Sequence, residues 1–251
     1  MKYILSAGNR GVLRKFASPD TLVAFDFDGT LAPIVRDRDL AAVRRTTRRL
    51  LAGLAACYSC VVISGRARKD VQRRLRGTGI RNVVGNHGIE PWSASPTLEQ
   101  AVRRWLPLLS AGLRQFDGVE IEDKRFSVAV HYRGATRKQG ARRAIRAVVQ
   151  KLSAVRLIGG KQVVNIIPAA APDKGAAFER QLMQSRCKKA IYVGDDDTDE
   201  DVFALPNHGR MLTVRVGKHH DSLAGHYIRN QQDIDHLIQQ LIGLRAGRRT
   251  G

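Results

Sequence analysis

The sequence predicts an α/β protein: an open parallel sheet flanked by helices, with a smaller α+β module inserted between two of its strands. Three observations carry this. Apolar runs at residues 22–25, 60–63 and 190–193 have the length of strands buried on both faces. Each run ends abruptly in polar residues able to do chemistry. The 251 residues exceed one small domain, and the runs fall into an early and a late group around a stretch with its own helix-and-strand pattern.

The first run, Leu22-Val23-Ala24-Phe25, leads into Asp26-Phe27-Asp28-Gly29-Thr30. Open parallel sheets build their sites at the carboxyl ends of strands. An i, i+2 pair on an extended backbone places both carboxylates on one face, and Gly29 lets the chain bend around whatever they bind. Asp26 can attack and Asp28 can move a proton. A plain strand followed by an Asp-Gly turn needs only one of them.

The second run leads to Ser64-Gly65-Arg66, a hydroxyl and backbone N–H groups at an expected helix N-terminus, which reads as an anion site or as a plain N-cap. Lys174 follows Pro172-Asp173 and precedes Gly175 and a helix over 176–183, so its ammonium lies at a loop-to-helix junction, either on an anion or simply solvated. The third run opens onto Gly194-Asp195-Asp196-Asp197-Thr198-Asp199-Glu200-Asp201, six acids within seven residues in a chain of net charge +20. Such a cluster points to a compensating hard cation. Mg²⁺ fits, because it keeps several waters and takes one or two carboxylates directly. A Ca²⁺ loop counted from Asp195 lacks Gly at its sixth position and Glu at its twelfth. Asp195, at the strand end, is the expected ligand. Asp199, Glu200 and Asp201, ahead of Val202-Phe203-Ala204-Leu205, read as helix-capping acids.

Between the two groups, residues 98–116 read as a helix with Val102, Leu106, Leu109 and Leu113 along one face, which Pro107 should kink or interrupt. Residues 119–124 and 126–133 read as strands, with Ser127, Ala129 and His131 alternating against Val128, Val130 and Tyr132. A second helix follows at 137–152, then strands at 155–158 and 162–167 forming a hairpin around Gly159-Gly160.

The ordered set Asp26-x-Asp28-Gly29-Thr30, Ser64, Lys174 and Gly194-Asp195-Asp196 resembles the haloacid dehalogenase (HAD) superfamily. Further stretches resemble trehalose-6-phosphate phosphatases: Gly85-Asn86-His87-Gly88, Glu122-Asp123-Lys124, Val130-His131-Tyr132-Arg133, the acidic run, Thr213-Val214-Arg215-Val216-Gly217 and Ser222-Leu223-Ala224. The resemblance covers nearly the whole chain. It implies a Rossmann-like core at 1–90 and 169–251, with a C2-type α+β cap at 91–168 whose closure excludes water and brings sugar-reading groups over the phosphate site.

It also implies roles. Asp26 would be the nucleophile and Asp28 the general acid and base, with Mg²⁺ held by the Asp26 carboxylate, the Asp28 carbonyl, Asp195 and Asp196. Gly29, Thr30, Ser64, Gly65 and Lys174 would bind phosphate. Arg66, Asn86, His87, Lys124, His131, Arg133 and Asn165 would face the sugar-phosphate substrate. From the residues alone, Lys124, His131 and Arg133 read equally as an exposed basic sheet face, and His87 as a loop histidine.

One departure bears on the substrate. The related phosphatases carry Glu and a basic residue before the proline of the last cap strand, where this chain has Asn165-Ile166-Ile167-Pro168. Glucosyl- or mannosyl-phosphoglycerate and sucrose 6-phosphate therefore stay open beside trehalose 6-phosphate.

The basic excess, 43 Lys and Arg against 23 Asp and Glu, falls in three clusters, at residues 36–49, 66–76 and 137–146. Such a field attracts phosphorylated substrates and polyanions alike. Because the clusters lie on expected helices with few aromatic residues among them, they read as solvated faces, and no nucleic-acid partner is expected. A polyanion-binding protein on the same scaffold is the different-class alternative.

Cys57, Cys60 and Cys187 suit reduced cytoplasmic thiols rather than a zinc site. No apolar run approaches a membrane span, so no membrane partner is expected. A monomer or weak oligomer is expected, with a frayed polar tail at 247–251.

Overall fold

The computed structural model describes residues 1–160 and 162–247, so residues 248–251 of the expected tail lie outside it. Contacts divide the chain into two units, one made of Met1–Gly88 with the segment from Asp173 onward, the other of Ile89–Pro172.

The first unit opens with β1 (Lys2–Tyr3), α1 (Arg10–Phe16), β2 (Thr21–Phe25), α2 (Arg45–Ala55), β3 (Ser59–Ile63), α3 (Arg68–Arg74) and β4 (Asn82–Val84). The second unit follows: α4 (Pro96–Leu113), β5 (Glu120–Asp123), β6 (Val128–His131), α5 (Lys138–Val149), β7 (Val155–Gly160) and β8 (Val163–Pro168). The first unit then resumes with α6 (Lys174–Ser185), β9 (Lys189–Gly194), α7 (Glu200–Phe203), β10 (Met211–Val216), β11 (His226–Ile228) and α8 (Asp233–Ala246).

The seven strands of the first unit run parallel in the order β1-β11-β10-β9-β2-β3-β4. From β2 the chain moves outward to β3 and β4, then returns after the second unit to place β9 on the other side of β2. That reversal makes the carboxyl ends of β2 and β9 a topological switch point, where doubly wound sheets open a crevice. The alternation of β2 explains the layers. Val23 and Phe25 join Val62, Ile191 and Val193 in a core with Leu13, Leu51, Leu54, Leu237 and Leu241 from α1, α2 and α8. On the opposite face Tyr192 meets Phe178 of α6 and Phe203 of α7 edge-on, with ring centroids 5.5 and 5.9 Å apart.

In the second unit the four strands are antiparallel, in the order β5-β6-β8-β7. Val128, Val130 and Ile166 on one face pack against Val102, Trp105 and Leu109 of α4 and Ile145 and Val148 of α5. The other face carries Glu122, Ala129 and Asn165 in register across three strands.

Two expectations are corrected here. Pro107 does not interrupt α4, which runs through it from a Ser95 N-cap that accepts from Leu98 N at 3.3 Å. The proline removes the donor for the Arg103 carbonyl, and since both residues lie on the exposed side, water can take that carbonyl's hydrogen bond. The hairpin does not turn at Gly159-Gly160: both lie in β7, opposite Val164 and Val163, and the left-handed residue is Gln162, at φ 65°. Trp105, unassigned from the sequence, is buried on α4 beside the expected Val102, Leu109 and Leu113, while Leu106 is only partly buried.

Candidate active site

Asp26 leaves β2 with its N–H on the Val193 carbonyl at 2.8 Å, so the sheet itself fixes where its carboxylate starts. Gly29, at φ 83°, then turns the chain, and a Cβ there would collide with the Asp195 carboxylate. Only glycine lets the β2 and β9 loops approach this closely. Thr30 Oγ1 donates to Asp195 Oδ1 at 3.2 Å, tying the two loops together. The Gln231 amide, just ahead of α8, supports the turn from below by donating to the carbonyls of Thr30 and Leu31 at 3.0 and 3.2 Å.

Lys174 is the first residue of α6, whose N-cap Asp173 accepts from Ala176 N at 2.8 Å. Its ammonium donates to Asp26 Oδ1 and Asp199 Oδ1, each at 2.8 Å, and the three residues are 2%, 4% and 0% exposed. Burial of an ion cluster this complete requires satisfied partners. Asp199 has them: Oδ1 also accepts from Tyr192 OH at 2.7 Å, and Oδ2 accepts from the N–H groups of Asp195 and Asp196 at 2.9 Å each.

Burial would lower the Lys174 pKa, but Asp199 and Asp26 outweigh it and hold the ammonium charged. Burial pushes the Asp26 carboxyl well above its ordinary range, against the pull of Lys174 and with repulsion from Asp199 and Asp195 adding to the rise. Asp195 is pushed up to about 7 by burial first and by Asp199 and Asp196 next.

Three carboxylates, of Asp26, Asp195 and Asp199, offer oxygens within 4.8 Å of one another. One lysine cannot balance them. The donor set is all hard oxygen and fits a divalent cation such as Mg²⁺. Because Asp199 already accepts four hydrogen bonds, the oxygens left for a metal are those of Asp26 and Asp195. Asp196, expected as a ligand, turns its carboxylate to Asp197 N at 2.9 Å and closes a capping box with Asp199.

Asp28 is held separately. Arg66 Nε and one terminal nitrogen donate to its two oxygens at 2.7 and 2.8 Å, a bidentate pair. The Arg66 guanidinium is completed by the Arg38 carbonyl at 2.9 Å and by Asp70 at 3.1 Å. Asp70 accepts in turn from Arg73 and Arg74 at 2.6 and 2.8 Å. Burial alone would raise Asp70, but hydrogen bonds from Arg74, Arg73 and Arg66 hold it below its ordinary value.

Ser64 directly follows β3 and is buried; its hydroxyl accepts from Arg66 N at 3.2 Å while its carbonyl accepts from His87 N at 3.0 Å. His87 and Asn86 are both buried and left-handed, at φ 57° and 51°, and a Cβ on Gly65 would lie 2.5 Å from the His87 ring. The expected residues Asp26, Asp28, Gly29, Thr30, Ser64, Gly65, Arg66, Asn86, His87, Lys174 and Asp195 thus gather at the carboxyl ends of β2, β3, β4 and β9.

Lys124, His131 and Asn165 share the sheet face of the second unit opposite its helices. Lys124 Nζ donates to Asn165 Oδ1 at 3.2 Å, and His131 Nε2 lies 2.9 Å from Glu122 Oε2. Arg133 lies two residues past β6, where strand alternation no longer fixes its side.

A family model described as Trehalose-phosphatase matches residues 24–226. The chain belongs to that family. Members similar to it include a trehalose-phosphate phosphatase of Mycobacterium tuberculosis, 38% identical over 209 residues that cover 77% of this chain and 53% of that one. The Arabidopsis thaliana protein named "Probable trehalose-phosphate phosphatase D" is 29% identical over 243 residues, covering 86% of this chain and 66% of that one. The chain therefore spans about half to two thirds of the length of these trehalose-phosphatase relatives. Its fold matches the C-terminal domain of the C. albicans trehalose-6-phosphate phosphatase, with a TM-score of 0.77, 21% identity and coverage of 94% of this chain and 98% of that one.

Four residues that hold the candidate site together were not singled out for it from the sequence: Tyr192, Asp199, Asp70 and Gln231. Asp199 had a signal, an acid four residues past Asp195, but a helix-capping role accounts for the same spacing.

Proposed function

We propose that this chain is a Mg²⁺-dependent phosphatase that hydrolyses trehalose 6-phosphate to trehalose and phosphate through an aspartyl phosphate on Asp26. The observation that carries the reading is the separate wiring of the two acids on the β2 loop, Asp26 to the Lys174 ammonium and Asp28 to the Arg66 guanidinium. Lys174 occupies Asp26 Oδ1, and Oδ2 is the oxygen left to attack phosphorus. As that bond forms, the bond from phosphorus to the sugar oxygen breaks and the leaving oxygen takes a proton from Asp28. Water then gives a proton back to Asp28 while its oxygen attacks phosphorus. The bond to Asp26 breaks and phosphate leaves.

Both Asp28 oxygens accept from Arg66 here, so Asp28 delivers its proton only after turning away from the guanidinium. Asp26 and Asp195, with the Asp28 carbonyl that the resemblance implies, would hold Mg²⁺, which would supply positive charge against the transferring oxygens. Acceleration of phosphate-monoester hydrolysis can reach ~10²¹, about 29 kcal/mol, which requires positioning and charge stabilisation together.

Trehalose as the sugar is supported by the family and its named members. On the second unit, Lys124 and Asn165 beside Glu122 and His131 supply donors and acceptors suited to sugar hydroxyls. Asn165 is uncharged where the related phosphatases carry Glu, which favours testing other glycosyl phosphates alongside.

The test is phosphate release from trehalose 6-phosphate, sucrose 6-phosphate, glucose 6-phosphate and glucosyl-3-phosphoglycerate by the wild type and Asn165→Glu. Trehalose 6-phosphate should lead by tenfold or more in kcat/KM, roughly the 1.4 kcal/mol of one good sugar contact. A lead for another sugar phosphate, moved toward trehalose 6-phosphate by Asn165→Glu, would replace the substrate and keep the chemistry.

A further inference from the structure

From Lys124 to Pro172 the sequence holds no Asp or Glu and eleven Lys or Arg. Elsewhere the basic clusters are partly neutralised internally. Arg44 pairs with Asp235 at 3.2 Å, Arg66, Arg73 and Arg74 converge on Asp70, and Arg48 caps the end of α3 through the Arg74 and Arg76 carbonyls. On α5 the pattern is different. Arg137, Lys138, Arg142, Arg143, Arg146 and Lys151 are all exposed, and no ion pair holds any of them among the described residues.

At 100° per residue, Lys138, Arg142, Arg146 and Arg143 fill an arc of about 140° on the helix. The opposite side, Ala141, Ile145, Val148 and Val149, is buried in the core of the second unit. Packing therefore fixes these cations on a straight ridge about 12 Å long.

We propose, against the expectation of a merely solvated face, that this ridge is a docking surface for the phosphate backbone of double-stranded nucleic acid. Charge complementarity selects a polyanion, and arginine's planar fork matches phosphate oxygens bidentately. The α5 sequence has no aromatic residue on which unpaired bases could stack, which disfavours a single strand. Its large apolar side chains, Ile145, Val148 and Val149, are already buried in protein, which leaves only alanine methyls to enter a lipid surface. A rigid cationic ridge suits a duplex, whose charges are regularly spaced at about one per 1.7 Å of axis. Binding of this kind is independent of sequence and separate from the phosphatase chemistry.

The test is fluorescence anisotropy of the full chain with a mixed-sequence DNA duplex from about 50 to about 300 mM salt. Three proteins are compared: wild type; Arg142→Gln with Arg143→Gln and Arg146→Gln; and Arg45→Gln with Arg49→Gln and Arg81→Gln, which removes the same charge from exposed positions of the other unit. The melting temperatures of all three are measured alongside.

The α5 variant should lose about tenfold or more in affinity at low salt, with a log–log salt slope shallower by roughly 3, while the other variant stays within about twofold. Replacing the same α5 arginines by lysine, which keeps the charge, should restore most of the binding. Equal losses in both glutamine variants would show that diffuse net charge binds, not the ridge. Retention on phosphatidylserine vesicles with none on duplex would assign the ridge to a membrane. Either result overturns the proposal.

Discussion

Lys174–Asp199 in the parallel sheet and His131–Glu122 in the antiparallel one are contacts of nearly equal length, 2.8 and 2.9 Å, but the first pair is 2% and 0% exposed and the second 23% and 30%. Distance does not distinguish them; surroundings do. Losing one partner of a buried pair strands a charge at a cost of about 3–5 kcal/mol, whereas an exposed pair is worth about 1 kcal/mol or less. The parallel sheet therefore confines its charges where they must stay fixed, and the antiparallel sheet leaves its polar groups able to exchange partners with a ligand.

Lys174→Ala should break this comparison open most violently. It leaves Asp26 and Asp199 unpaired, so phosphate release should fall by at least about 10³ and the melting temperature by roughly 10 °C. Glu122→Gln, the matching change on the other sheet, should move the melting temperature by no more than roughly 4 °C. Equal shifts in the two variants would mean that burial does not set the difference.

Asp195→Asn sharpens it in the opposite direction. Activity should disappear because a carboxylate proposed to hold the metal is lost, yet the metal-free protein should gain about 1–2 kcal/mol, since one of three mutually repelling acids becomes neutral. Thermal melts in EDTA check the sign. A lower melting temperature than wild type would show that the acids do not repel.

Asp70→Asn has a smaller effect, about tenfold in kcat with KM nearly unchanged, because Asp70 orients Arg66 without touching substrate. Asp70→Glu should recover part of it. The pH dependence follows from the depressed carboxyl. Asp70 contributes stability that is fully present above the unfolded value near 3.9, and this is lost as pH falls through its lower folded value. The melting-temperature gap between wild type and Asp70→Asn should therefore be constant above about pH 5 and close in stronger acid.

Much of this was legible in the sequence because strand ends announce themselves. The apolar runs leading to Asp26, Ser64 and Asp195 had one reading as buried strands, and the parallel register of β2, β3 and β9 places all three at the same edge. The alternation of Val128 and Val130 against Ala129 and His131 was equally plain, since one face of that sheet had to be apolar. Less legible were groups whose role depends on distant partners. Asp199 reads as a cap until Lys174 and Tyr192 are seen on it, and nothing in the sequence singles out Asp70 before three arginines are seen to converge on it. Pro107 misled because the cost of a helical proline depends on which side it faces.

In the proposed reaction Asp26 is the nucleophile of a metal-assisted phosphatase. This role is tested most directly by phosphate release from trehalose 6-phosphate by wild type and Asp26→Asn, each with Mg²⁺ and with EDTA. Wild type should turn over with Mg²⁺ and not with EDTA, and the variant should lose about 10⁴ or more. Turnover by Asp26→Asn comparable to wild type, with Mg²⁺ or without it, would contradict the account.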